Sequence, residues 1–152
     1  MRYEFPMIPA ASGSLWFFAI LAVIILAILP LFGYMAYSSR HTEFVVSPDG
    51  LDIRGTFYGR MIPASSLVVG EARAIDLTIE RDFRPRWRTN GIGMPGYQAG
   101  WFRLRNRGKA LLFVTDRRHV VYLPTRDGYS VFLSIRDPDA FLRVLKETAG
   151  AL

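Results

Sequence analysis

The fold class this sequence predicts is a mainly β domain, behind a single N-terminal transmembrane α-helix and closed by a C-terminal α-helix. Three observations predict it. Leu15 to Tyr37 (LWFFAILAVIILAILPLFGYMAY) runs without a charge. From Glu43 to Ser134, short stretches rich in Val, Ile, Phe and Tyr alternate with clusters of Pro, Gly, Asn and Asp, as short strands joined by tight turns do. After Ser134, Asp137-Pro138-Asp139 opens a stretch with apolar residues at helical spacing. At 152 residues the chain has room for one globular domain beside its anchor.

Residues 1–14 form an N-terminal extension, and residues 15–37 the span. At 1.5 Å per residue the span makes about 35 Å of helix against a hydrocarbon core of about 30 Å. Pro30 and Gly33 are tolerable there. Trp16 and Phe17 at one end, with Tyr34 and Tyr37 at the other, stand where aromatic belts form. A cleavable signal peptide competes, with Ala36 and Ser38 as a cleavage site, but the apolar run exceeds an ordinary signal core. A buried core helix competes less well, because few such helices are apolar on every face. Residues 38–42 follow as a juxtamembrane linker. Arg2 precedes the span and Arg40, Arg54 and Arg60 follow it, so the positive-inside rule places the C-terminal domain in the cytoplasm.

Residues 43–148 form the domain. EFVVS, Pro48-Asp49-Gly50 and LDIRG read as a hairpin with a tight turn. Further strands are expected over Arg60–Pro63, Val68–Ile75, Ala99–Arg105, Ala110–Thr115, His119–Pro124 and Ser130–Ser134. Asn106-Arg107-Gly108, Asp116-Arg117-Arg118 and Arg126-Asp127-Gly128 supply turns. The short spacing predicts a barrel or sandwich of antiparallel strands. In the terminal helix Asp137 is the expected N-cap and Pro138 the first helical residue. Phe141, Val144 and Leu145 form the expected docking stripe.

Asn90-Gly91, Pro95-Gly96-Tyr97, Gly100, Phe102-Arg103-Leu104, the Val114-Thr115-Asp116 turn, and Ser134 with Asp137-Pro138 before Phe141 recur in an order that resembles the bacterial pleckstrin-homology-like (PH-like) domain family. Residues 89–145 carry the resemblance; from Thr42 to Arg88 only the strand pattern matches. It implies two packed sheets capped by a helix, often membrane-anchored and sometimes self-associating. It does not bring phosphoinositide binding with it. Eukaryotic relatives place basic residues on the first hairpin, whereas FVVSPDGLDIRG offers Asp49, Asp52 and only Arg54.

Chemistry has little to work with. No cysteine is present, which removes thiolate nucleophiles and cysteine metal sites. His41 and His119 have no partner at ligand spacing; His41 is expected to help stop the span and His119 to pack on the sheet. Gly91, Gly93 and Gly96 spell G-x-G-x-x-G, but Arg84–Asn90 is not expected to form the preceding strand, nor Tyr97–Leu104 the following helix, that a phosphate loop needs. Ser65-Ser66 lies outside any nucleophile elbow. No catalytic residue, metal or cofactor is expected.

The basic features are better. The net charge is +6, and Lys109 and Lys146 are the only lysines among 19 basic residues. RDFRPRWR sets Arg81, Arg84, Arg86 and Arg88 around Phe83 and Trp87. Arginine forks grip phosphates and carboxylates, and Trp suits a membrane interface. In the next strand Trp101, Arg103 and Arg105 share one face while Phe102 and Leu104 take the core face. Arg107–Lys109 continues the positive surface. The expected binding residues are therefore Arg81, Arg84, Arg86, Trp87, Arg88, Arg103 and Arg105. The competing account is a solvated face paired to Glu80 and Asp82. The glycine-rich stretch from Asn90 to Gly100 reads either as a sharp corner between strands or as a loop approaching a partner. The expected function is a single-pass, non-catalytic interaction module for membrane lipid, a membrane protein or a second copy, with nucleic acid disfavoured. The alternative is an accessory subunit of a membrane complex, its helix packing through Ala19, Ala22, Ala27 and Gly33.

Overall fold

The computed structural model describes residues 13–149. Most of the expected N-terminal extension, Arg2 included, lies outside the described residues. The chain divides between Ser38 and Ser39 into two compact units. Helix α1 spans Gly13–His41, lies in the first unit as far as Ser38, and runs on through Pro30 without a break. Its large apolar side chains, among them Trp16, Ile24 and Leu29, are exposed. Leu15–Ser38 has a mean hydropathy of 2.9, long and apolar enough to cross a membrane. Since α1 ends at His41 and the first strand begins at Glu43, most of the expected 38–42 linker is helical.

The second unit holds two sheets. β1 (Glu43–Ser47), β2 (Gly50–Arg54) and β3 (Met61–Pro63) form an antiparallel three-stranded sheet. β4 (Arg73–Ile75), β5 (Pro85–Met94), β6 (Tyr97–Leu104), β7 (Lys109–Val114), β8 (Val120–Pro124) and β9 (Tyr129–Ser134) form the other, in the order β4-β8-β9-β7-β6-β5. The result is a sandwich, not a closed barrel. Nor is it wholly antiparallel: β7 and β9 run parallel from Lys109↔Tyr129 to Phe113↔Leu133, because β9 inserts between β7 and β8.

The six-stranded sheet has a core on each face. Leu111, Phe113, Val131 and Leu133 pack with Leu51, Ile53 and Ile62 of the small sheet and with Leu145 of the terminal helix. Phe102, Leu104, Leu112 and Phe132 pack on the other face beneath Ile75, Leu77 and the partly buried Phe83. Burial on both sides explains why β7 reads as the unbroken apolar run Ala-Leu-Leu-Phe-Val.

Helix α2 (Pro138–Ala149) begins as its sequence predicts, with the Asp137 carboxylate accepting the Ala140 N–H at 3.0 Å. Its docking stripe differs. Leu145 and Ala149 are buried and Phe141 and Leu142 pack on the core, but Val144 is 47% exposed. Position 144 falls on the rim of the stripe, where either polarity is tolerated.

Three other expectations change. Val68–Ile75 is mostly irregular, a one-turn 3-10 helix at Val69–Glu71 followed by the three residues of β4. His119 does not pack on the sheet; it is exposed, with Nδ1 2.8 Å from Asp116 Oδ2. Arg84–Asn90 was not expected as a strand, yet β5 covers most of it and hairpins onto β6 through Pro95-Gly96, where Gly96 takes φ +79°. The stretch from Asn90 to Gly100 is therefore strand and turn, and no helix follows its glycines.

Candidate functional site

The β5–β6 hairpin is shaped by glycine and by two breaks in register, between Pro85 and Trp87 and between Arg88 and Asn90. Gly91 faces Gly100; a β-carbon on Gly100 would lie 2.6 Å from Gly91 Cα and 2.7 Å from the Asn90 carbonyl oxygen. The strands can meet this closely only without side chains at both positions. The breaks set which way the arginines point. Trp87 stands opposite Arg103, whereas Arg88 stands opposite the buried Phe102. Cross-strand partners share a face, so Arg88 and Arg103 lie on opposite faces of the sheet.

On the Phe102 face, Arg86, Arg88 and Arg117 border an open cleft of about 630 Å³ floored by Gly93, Gln98 and Phe102. No carboxylate lines it. Arg86 also stacks on Trp87, its guanidinium carbon 4.7 Å from the ring centroid, and Trp87 is 57% exposed. On the opposite face Trp101 is flanked by cations, with Lys109 Nζ 4.4 Å and the Arg60 guanidinium 5.5 Å from its ring centroid. Tyr129 meets that ring edge-on at 5.0 Å, and burial pushes its phenol up from the ordinary value, against the nearby Arg60 charge. Arg103, Thr89 and Asn90 complete a recess of about 360 Å³ there.

The seven expected binding residues thus fall into separate places. Arg86, Trp87 and Arg88 line the cleft. Arg103 lies on the other face, donating to the Arg107 carbonyl at 3.1 Å. Arg105 is exposed just beyond β6, its N–H bonded to the Arg84 carbonyl at 3.0 Å. Arg81 is exposed in a one-turn 3-10 helix. Arg84 is partly buried, its Nε donating to the Leu77 carbonyl at 2.6 Å and its Nη2 to the Thr78 carbonyl. Ion pairs among the described residues include Asp52–Arg54, Arg73–Glu80 and Asp116–His119. Glu80, the acid expected to neutralise the patch, is held instead by Arg73 in a two-pronged pair. Asp52 similarly occupies Arg54, the one basic residue of the first hairpin.

Arg117, Gln98 and Arg60 were not among the expected binding residues. Arg117 read as a turn residue, and only tertiary folding brings the β7–β8 turn beside β5. Gln98 sits in strand β6 between Tyr97 and Gly100 of the resemblance but is not itself part of it, yet its buried Oε1 has no hydrogen-bond partner. Ser134, by contrast, shows what its place in the resemblance does: its hydroxyl accepts the Thr115 and Asp116 N–H groups, each at 3.1 Å, and donates to the Asp116 carbonyl at 2.7 Å. This fixes the turn that carries Arg117. Among the described residues, no three His, Asp or Glu side chains come together to hold a metal.

Residues 42–149 match the family profile described as "Bacterial PH domain", so the match takes in both halves of the domain, including 42–88. No curated protein and no solved structure matches the chain.

Proposed function

The chain belongs to the bacterial PH domain family, and from that premise we propose that it is a membrane-anchored, non-catalytic module whose β5–β6 hairpin binds anionic lipid headgroups. PH-like domains are generally protein- or lipid-interaction modules. The observation that carries the lipid reading is the hairpin itself. Arg86, Arg88, Arg103 and Arg105 are exposed around Trp87, and none belongs to an ion pair among the described residues. Each basic residue near an anionic surface contributes about 1 kcal/mol, so four give about 4 kcal/mol. That is weak for a free protein and sufficient for one whose apolar helix confines it beside the surface. Arg40, Arg54 and Arg60 after the span favour a cytoplasmic domain on the inner membrane.

The test is flotation of the unit from Ser39 onward with vesicles of phosphatidylglycerol and of phosphatidylcholine. Binding to the first that weakens with salt, and drops in a variant with all four arginines changed to Gln, supports the reading. Equal binding by wild type and variant overturns it. A second reading, an accessory subunit of a membrane complex, draws on α1, where nothing lies within 4 Å of the position a β-carbon on Gly33 would take and a partner helix could approach closely. Stoichiometric co-purification of another membrane protein in mild detergent favours it.

A further inference from the structure

We propose that the cleft between the β5–β6 hairpin and the β7–β8 turn is a binding site for a phosphate ester whose alcohol part carries free hydroxyls, of which glycerol phosphate is the simplest. This rests on the headgroup reading above and gives it a defined site. Arg86 and Arg88 come from β5 and Arg117 from the turn, so three arginines border one cleft with no carboxylate among its lining. Each guanidinium offers a planar fork that matches two phosphate oxygens. The turn is fixed in advance: the Arg117 carbonyl accepts the Leu77 N–H at 2.8 Å, and the Ser134 hydroxyl ties residues 115 and 116. Little ordering then remains to be done on binding. Gly93 puts no side chain between the cleft and the buried Phe102 ring; an added β-carbon would stand 3.5 Å from that ring.

Gln98 decides what the phosphate is attached to. Its Oε1 is buried without a partner, between the cleft and a second recess of about 240 Å³ that reaches Thr115 and Asp116. A buried acceptor of this kind calls for a donor. An ammonium would supply one, but three guanidiniums repel it. A hydroxyl supplies the hydrogen bond without the charge. A volume of about 630 Å³ accommodates such a molecule well beyond its phosphate.

The test titrates the full-length protein, held in phosphatidylcholine nanodiscs, with glycerol 1-phosphate by calorimetry. Saturable binding is expected, weakened at least tenfold by Arg88→Gln with Arg117→Gln, and unchanged by Arg143→Gln on the exposed side of helix α2. Gln98→Leu should weaken glycerol 1-phosphate at least tenfold while leaving methyl phosphate, which has no hydroxyl to donate, unaffected. That contrast stays decisive if the double arginine variant fails to fold. Repeating the titration in phosphatidylglycerol nanodiscs separates the sources: binding that disappears there means the membrane headgroup already fills the cleft, and binding that persists means a soluble ester is the ligand. Equal weakening by Arg88→Gln and Arg143→Gln, or equal affinity for methyl phosphate and glycerol 1-phosphate, overturns this proposal and leaves the surface reading standing. Absence of binding to both the ester and phosphatidylglycerol vesicles overturns both.

Discussion

Arg84→Gln should destabilise the domain although the residue belongs to the same basic run as Arg86 and Arg88. The connection between β4 and β5 lies over the second core, placing Leu77 and Phe83 on it, with Leu77 1% exposed. Arg84 closes that connection on itself through the Leu77 and Thr78 carbonyls. Gln is shorter and neutral and reaches at most one of them. A hydrogen bond to a charged group is worth about 1.5–3 kcal/mol net. Water can reach the vacated Thr78 carbonyl, so the two together should cost about 2 kcal/mol rather than the full sum. For a domain of about 110 residues that lowers Tm by roughly 8 °C. Arg86→Gln and Arg88→Gln, being exposed, should stay within about 0.5 kcal/mol of wild type. Thermal unfolding of the unit from Ser39 onward, with hydrogen exchange over residues 76–84, measures both. If Arg84→Gln melts with wild type and those amides exchange no faster, Leu77 and Phe83, with the backbone bonds to Arg117 and Arg105, hold the connection without it. Leu77→Ala, at about 2–5 kcal/mol, should then release it.

Gly100→Ala places a β-carbon against the Gly91 backbone at φ +112° and should cost about 2 kcal/mol or more, while Gly93→Ala, 3.5 Å from the Phe102 ring, should stay within about 0.5 kcal/mol; equal denaturant midpoints would refute the close strand approach. The Thr78 hydroxyl and N–H hold Asp76, and the Arg118 N–H followed by His119 holds Asp116, below the ordinary carboxylate value of 3.8. Their contribution is complete above that value and lost as pH falls through their lower folded range, so Asp116→Asn should flatten the acid limb of a stability–pH curve. The full chain should stay with the membrane through alkaline carbonate washing, and a reporter active only outside the cytoplasm should be silent when fused after Leu152; a soluble product beginning near Ser39 would refute the anchor.

Elements with one dry and one wet face, or two dry ones, were legible in the sequence. The first hairpin, β6 to β9 and the capped start of α2 declare themselves through alternation, apolar runs and turn residues. β5 does not. Its residues from Arg86 to Asn90 are exposed and mostly polar, so no period-two pattern exists to read. Its two register breaks also reset which side chains share a face. Exposure of Arg103 and burial of Phe102 and Leu104 followed from alternation in β6, but the division of the basic run between two faces did not. Arg84 was illegible for another reason: whether a long cationic side chain serves the protein's own carbonyls or a ligand depends on which backbone it meets, and Leu77 and Thr78 meet it only once the connection has folded. The parallel β7–β9 pair depends on strand order, which local sequence does not encode.

β5 closes one edge of the six-stranded sheet, and its outer side has no neighbouring strand. Those N–H and C=O groups of its ten residues that point away from β6 are a template on which a strand of another molecule could add. Two bulges, Pro85 at one end, Pro95 just past the other, and the charges of Arg86 and Arg88 are features that disfavour such pairing. Arg86 and Arg88 thus set like charges along this edge as well as beside the proposed site. Neutralising them by substitution removes the repulsion between two such edges while leaving the backbone groups available. Arginine-to-glutamine variants should accordingly gain a tendency to pair edge to edge, visible as a concentration-dependent rise in mass, and a loss of binding in those variants is interpretable only on the monomeric fraction.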